Sequence, residues 1–231
     1  MKLRIASLTI LCLALGIPAL AQTWTYDNGP VNGTVNAWAI NFGYITTDTF
    51  VAGGNAAVSG FSFYVWELGG DTALSAQWSI TAFPFGVPPN ALGNSVPYGS
   101  GTASGANLTD TFISTNQYDY DIDLITITGL NVQLTPGSRY WLNLQNAVTL
   151  EGEPLYWDEN DGVGCGGVNG TGQGCPSLAA QLQVGTIPSE SFTVTGGSQL
   201  GPAGTTPEPS SILLFGSGVL GLVGLLRQKL F

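Results

Sequence analysis

Asp119, Asp121 and Asp123 are spaced by two, the first pattern in this chain that could do chemistry. On an extended strand all three carboxylates leave one face, about 6–7 Å apart. Their mutual repulsion invites a hard cation, and an all-oxygen set suits calcium. The plainer alternative is a wet sheet face, with Tyr118, Tyr120 and Ile122 packing opposite. A second acidic concentration holds Glu151, Glu153, Asp158, Glu159 and Asp161 beside Tyr156, Trp157 and Asn160. Asp158, Glu159 and Asp161 with a following glycine offer oxygen ligands on a turn but lack the EF-hand register. The plainer alternative is the rim of a surface loop. Trp157 among these acids, together with Trp141, also suggests a sugar stacked on an aromatic ring. Neighbouring residues on a strand face opposite ways, so Asp158 and Glu159 make a poor pair for cleaving a glycosidic bond. Both tryptophans read as well as core or sheet-edge fillers.

Composition narrows the chemistry further. The chain has no histidine, which removes Ser-His-Asp and Cys-His catalysis and histidine-ligated zinc or haem. Its formal charge is −10. Between residues 22 and 206 only Arg139 is basic against fourteen carboxylates, a balance of −13. Nucleic acid is not a partner for such a surface, because its phosphates would be repelled. No catalytic constellation stands out, and the expected protein is not an enzyme.

The elements that must position these residues read as strands. Apolar residues alternate at Trp38, Ile40 and Phe42; at Phe61, Phe63 and Val65; at Trp78, Ile80 and Ala82; and at Tyr140, Leu142 and Leu144. A longer run carries Ile122, Leu124 and Ile127 toward Leu134, with a bulge, and weaker candidates lie at 178–184 and 191–194. Period two marks half-buried strands. Asn28-Gly29-Pro30, Gly69-Gly70-Asp71 and Thr135-Pro136-Gly137 supply turns. Many short strands with long loops predict an all-β, antiparallel two-sheet sandwich, jelly-roll-like, over residues 22–195; an eight-stranded barrel is the alternative. Cys12 falls in the leader. Cys165 and Cys175 flank a glycine-rich loop and are expected to form a disulfide in an oxidising compartment.

Two apolar segments flank that body. Residues 1–21 have the order of a signal peptide: Lys2 and Arg4, an apolar stretch, then Ala19-Leu20-Ala21. Residues 196–209 read as a linker, and 210–231 as a transmembrane helix ending in Arg227 and Lys229 on the cytoplasmic side. Pro207, Glu208 and Pro209, then an apolar run with Gly216-Ser217-Gly218, then a basic end together resemble a PEP-CTERM sorting signal. That resemblance implies recognition by an exosortase, a membrane cysteine protease, through Pro207, Glu208, Pro209, Arg227 and Lys229. It further implies removal of the tail and delivery of the body to the cell surface or an extracellular polymer matrix. The body resembles an uncharacterised group of such exported proteins. Asn36-Ala37-Trp38-Ala39-Ile40-Asn41, Tyr140-Trp141-Leu142-Asn143 and Tyr156-Trp157-Asp158-Glu159-Asn160 carry the likeness, which brings no known activity.

The expectation is therefore an exported surface or matrix protein without catalysis, anchored at the inner membrane until processed. A calcium-dependent module for carbohydrate or extracellular polysaccharide is the alternative, and a glycoside-active enzyme the remote one.

Overall fold

The computed structural model describes residues 23–34, 36–53, 57–85, 97–160 and 178–197. All of them lie in one compact unit, Gln22–Gln199. The fold is all-β, as the alternation predicts. One antiparallel sheet contains β1 (Thr23–Asp27), β2 (Ala37–Ala39), β4 (Val58–Leu68), β7 (Leu108–Thr115), β8 (Tyr120–Val132), β10 (Tyr156–Asp158) and β13 (Phe192–Gly197). The other contains β3 (Ile45–Val51), β5 (Ala73–Thr81), β6 (Gly99–Ser104), β9 (Arg139–Thr149), β11 (Ala179–Gln181) and β12 (Gly185–Ile187), in the order β12-β11-β3-β9-β5-β6.

β4 organises the first sheet. β8 pairs with it from Val58 to Leu68 on one edge and carries β7 beyond. On the other edge β13 covers the first half of β4 and β10 the second, with β1 and β2 outside them. Phe61, Phe63 and Val65 face inward from β4, opposite Ile127, Ile125 and Asp123 of β8. From the second sheet Tyr140, Leu142 and Leu144 of β9 and Trp78 and Ile80 of β5 meet them. Phe61 contacts Trp78 edge-on at 6.0 Å across the gap, and Tyr26 of β1 lies 6.0 Å from Phe50 of β3. Burying these aromatic faces drives the two sheets together.

Several local expectations change. Phe42 is exposed and has φ 51, because β2 ends at Ala39 and the chain turns. β8 is one strand whose register shifts against β4 and β7, in keeping with the expected bulge, but Ile122 and Leu124 lie on its outer face while Ile125 and Ile127 face the core. The stretch at 178–184 is not one strand but β11 followed by a turn into β12.

The expectations of a disulfide and a membrane-spanning helix are corrected. Among the described residues there is no disulfide, and no helix is long and apolar enough to cross a membrane. Cys165, Cys175 and the segment 210–231 lie outside the described residues, as does the leader 1–21.

Candidate functional site

Three carboxylates converge between the sheets. Glu67 ends the inward row Phe61, Phe63, Val65 on β4; Asp123 projects from the same side of β8; Asp110 projects from β7. Glu67 pairs with Asp121 and Asp110 with Ile125, so each member sits one strand over and two residues along from the next. Such diagonal neighbours are about 7–8 Å apart at Cβ, within reach of one another's side chains. One carboxylate oxygen from each of the three lies within 4.8 Å of the others. Glu67 and Asp123 are buried and Asp110 is half-buried.

The turn from β4 into β5 provides the surrounding hydrogen bonds. Ala73 N–H donates to Asp110 Oδ2 at 2.7 Å, joining β5 of one sheet to β7 of the other. Asp121 Oδ2 accepts from Gly70 N at 3.0 Å and its Oδ1 from Thr115 Oγ1 at 3.0 Å. Asp71 Oδ1 accepts from Thr72 N and Glu151 N at 2.8 and 2.9 Å. These donors serve Asp110, Asp121 and Asp71. No N–H or hydroxyl donor reaches the buried oxygens of Glu67 or Oδ1 of Asp123, and Glu67 faces the Asp110 carboxyl at hydrogen-bonding range.

The electrostatics follow from burial and like charge. Burial, then the charges of Asp110, Asp123 and Asp71 and a hydrogen bond shared with Asp110, pushes the Glu67 carboxyl up to about 9. Burial, then Asp110 and Asp121, pushes Asp123 up to about 6. Asp110 is raised by burial against the opposing Ala73 N–H. For Asp71 burial is outweighed by the backbone hydrogen bonds of Glu151 and Thr72, which hold it low. Arg139, the single basic side chain among the described residues, starts β9 ten residues from Thr149, which pairs with Ala73. That is roughly 33 Å of strand. The arrangement suits a hard divalent cation held by oxygen.

The aspartate triplet is split by the fold. Asp119 is exposed in the turn before β8 with φ 64, while Asp121 and Asp123 face inward. The structure does not bring Asp158 and Glu159 to them. Asp158 is fully buried and accepts from Asn32 N and Gly33 N at 2.9 Å each, Trp66 Nε1 at 2.6 Å and Ser191 Oγ at 3.3 Å. It joins the 28–34 loop, β4 and β10. Glu159 is buried and accepts from Trp38 Nε1 at 2.5 Å. Asp161 lies outside the described residues, as do Pro207, Glu208, Pro209, Arg227 and Lys229.

Trp157 is wholly buried against Phe63 and Phe192 at 5.8 and 5.5 Å, and its Nε1 donates to Ser191 O. Its ring is core, not a surface for a sugar. Trp141 is half-buried on the outer face of β9, between Thr49 of β3 and Thr81 of β5. Another buried acid was not singled out in the sequence: Glu190 bridges Glu159 in antiparallel fashion, and neither carboxylate oxygen has a hydrogen-bond partner. Burial, then Asp48, Glu159 and Asp158, raises its carboxyl well above the usual range.

Glu67 and Asp110 also went unrecognised in the sequence, since each stands alone among uncharged residues. A signal exists: Glu67 occupies the fourth place of a period-two core row, and Asp110 follows Leu108 by two. A carboxylate in a core register marks a buried acid.

Residues 205–228 match the PEP-CTERM protein-sorting motif. That match includes Pro207, Glu208, Pro209 and Arg227, and Lys229 follows directly. The chain carries this exosortase-recognition motif. No curated protein matches this chain. One similar solved structure is "Structure of infectious bursal disease virus Gt strain", at 12% identity and a TM-score of 0.22. The likeness covers 78% of this chain and 39% of that one, so this chain spans about two fifths of the other's length. At that TM-score it carries no argument about fold or function.

Proposed function

We propose, from the PEP-CTERM motif at residues 205–228, that this is an exported cell-surface or extracellular-matrix protein, processed by an exosortase, whose body acts without catalysis. The motif is the observation that carries the reading. The two-sheet body supports a structural role, because its buried acids Asp158 and Glu159 accept hydrogen bonds from several elements of the fold. The test is intact-mass analysis of the protein recovered outside producing cells. Wild type should lack its C-terminal segment, and a variant with Pro207, Glu208 and Pro209 all changed to alanine should retain it. Identical mature masses would remove the exosortase reading. Release of reducing sugar from the host's own polymer would remove the non-catalytic one.

A second reading is a calcium-dependent module for carbohydrate or extracellular polysaccharide. The converging carboxylates of Glu67, Asp110 and Asp123 favour it, because cations held on an acidic body could bridge to an anionic polymer. Polymer association that survives chelation unchanged would count against it.

A further inference from the structure

We propose that Glu67, Asp110 and Asp123 bind one divalent cation in the gap between the sheets, beneath the turn from β4 into β5. The first observation is convergence: three carboxylates from three strands bring an oxygen each to within 4.8 Å of one another. The second is independent of it. Asp123, 4% exposed and aimed into the cluster, has no hydrogen-bond partner at Oδ1, and Glu67, 0% exposed, meets no N–H or hydroxyl donor, only the Asp110 carboxyl.

Two other buried carboxylates, Asp158 and Asp48, are met by donors, whereas Glu190 is not. Asp158 receives two backbone N–H groups, an indole N–H and a hydroxyl. Asp48 receives Glu190 N at 2.7 Å and Asn28 Nδ2 at 3.0 Å. Around the converging three, the local N–H groups go to Asp110, Asp121 and Asp71. The oxygens that no N–H or hydroxyl reaches are both of Glu67, Oδ1 of Asp123 and Oδ2 of Asp71, and Glu67 and Asp123 belong to the point of convergence. Burying an ionised carboxylate without partner or counter-charge is strongly unfavourable. A cation satisfies the leftover oxygens and offsets the repulsion together.

The donor set selects the kind of ion. Only carboxylate oxygens are present, which favours hard cations over zinc or copper. Calcium takes 6–8 oxygens and tolerates irregular geometry, with water completing its shell. Half-buried Asp110 leaves a side open for that water. The ion would also act as a clamp. Glu67 closes β4 in one sheet, and Asp110 already holds Ala73 of β5 in the other.

This assignment supplies the cation that the second functional reading requires, and its test involves no polymer. The full chain, stripped of metal by chelation, is dialysed against calcium alone. Uptake should approach one ion per chain and raise the melting temperature. Amide exchange should slow at Gly70 and Ala73. Glu67→Gln and Asp110→Asn should each weaken uptake by at least ~10–100-fold, the scale already set by losses one shell further out. Each should melt in chelator at or above the wild-type temperature. Asp119→Asn, in the exposed turn, should leave uptake unchanged. Absence of calcium uptake would overturn the site and leave a proton shared between Glu67 and Asp110 in its place. Uptake that persists in both cluster variants would overturn it as well. If a variant does not fold, wild-type exchange decides: calcium that binds without protecting Gly70 or Ala73 lies elsewhere. Calcium uptake without polymer association would remove the polysaccharide reading and leave this site standing.

Discussion

Trp66 Nε1 donates to Asp158 Oδ1 at 2.6 Å, and the same carboxylate takes the N–H groups of Asn32 and Gly33. The indole belongs to β4, the acid to β10, and the amides to a loop laid over them. Asp158 is thus the buried acceptor on which three separate pieces of chain agree. Replacing it with alanine strands several buried donors at once, each costing about 1–3 kcal/mol. Asp158→Ala is expected to lower unfolding free energy by about 3 kcal/mol or more, and Trp66→Phe by about 1 kcal/mol. Urea denaturation checks both. Equal, small losses would mean that the loop closes without this acceptor.

Glu190 sets a pH dependence of known sign. Its folded-state carboxyl is raised, first by burial and then by Asp48, Glu159 and Asp158. The folded state therefore binds more protons than the unfolded one above the ordinary value of 4.5. This group's contribution to stability is complete below that value and declines as pH rises. Glu190→Gln should raise the melting temperature at pH 7 and flatten its decline between pH 5 and 7. A variant that melts lower at neutral pH, with the slope unchanged, would contradict this.

The two tryptophans once grouped as sugar platforms should separate in stability. Trp157→Ala empties a fully buried site between Phe63 and Phe192 and should cost about 3–5 kcal/mol. Trp141→Ala, on the outer face of β9, should cost about 1 kcal/mol. Thermal denaturation of the pair measures the difference, and a larger loss at Trp141 would reverse the assignment of faces.

Gly60 marks where β4 is closely flanked. A Cβ there would meet Ile127 O at 2.5 Å, beside the irregularity in the β4–β8 register. Backbone cannot swing aside as a side chain can, so Gly60→Ala should destabilise by about 1–3 kcal/mol. Gly43, with nothing within 4 Å, has φ 85, so Gly43→Ala should show only the strain of its backbone. Melting curves that place both variants at wild type would show that β4 relaxes.

What was legible in the sequence is what local alternation encodes. The core rows Phe61-Phe63-Val65 and Tyr140-Leu142-Leu144 are visible because one face is uniformly apolar. β3 was not visible, since its inward positions are Thr46, Asp48 and Phe50 and its outward ones are Ile45, Thr47, Thr49 and Val51, which mixes apolar and polar residues on both faces. In β8 apolar residues occupy both faces, Ile122 under the 28–34 loop and Ile125 in the core, so parity could not be read locally. A one-residue slip exchanges every side chain between faces.

By itself, the amino-acid order determined the class of fold, the absence of histidine chemistry, the acidic balance and the sorting motif, all of which are short-range or compositional properties. The tertiary structure decided which acids meet. Glu67 and Asp110 stand 43 positions apart in the chain, and only the pairing of β4, β8 and β7 brings them to Asp123. The Asp119, Asp121 and Asp123 triplet, adjacent in sequence, is divided by one turn residue with positive φ. Spacing along a strand sets which face a side chain leaves, but strand register sets its neighbours, and register comes from packing the whole core.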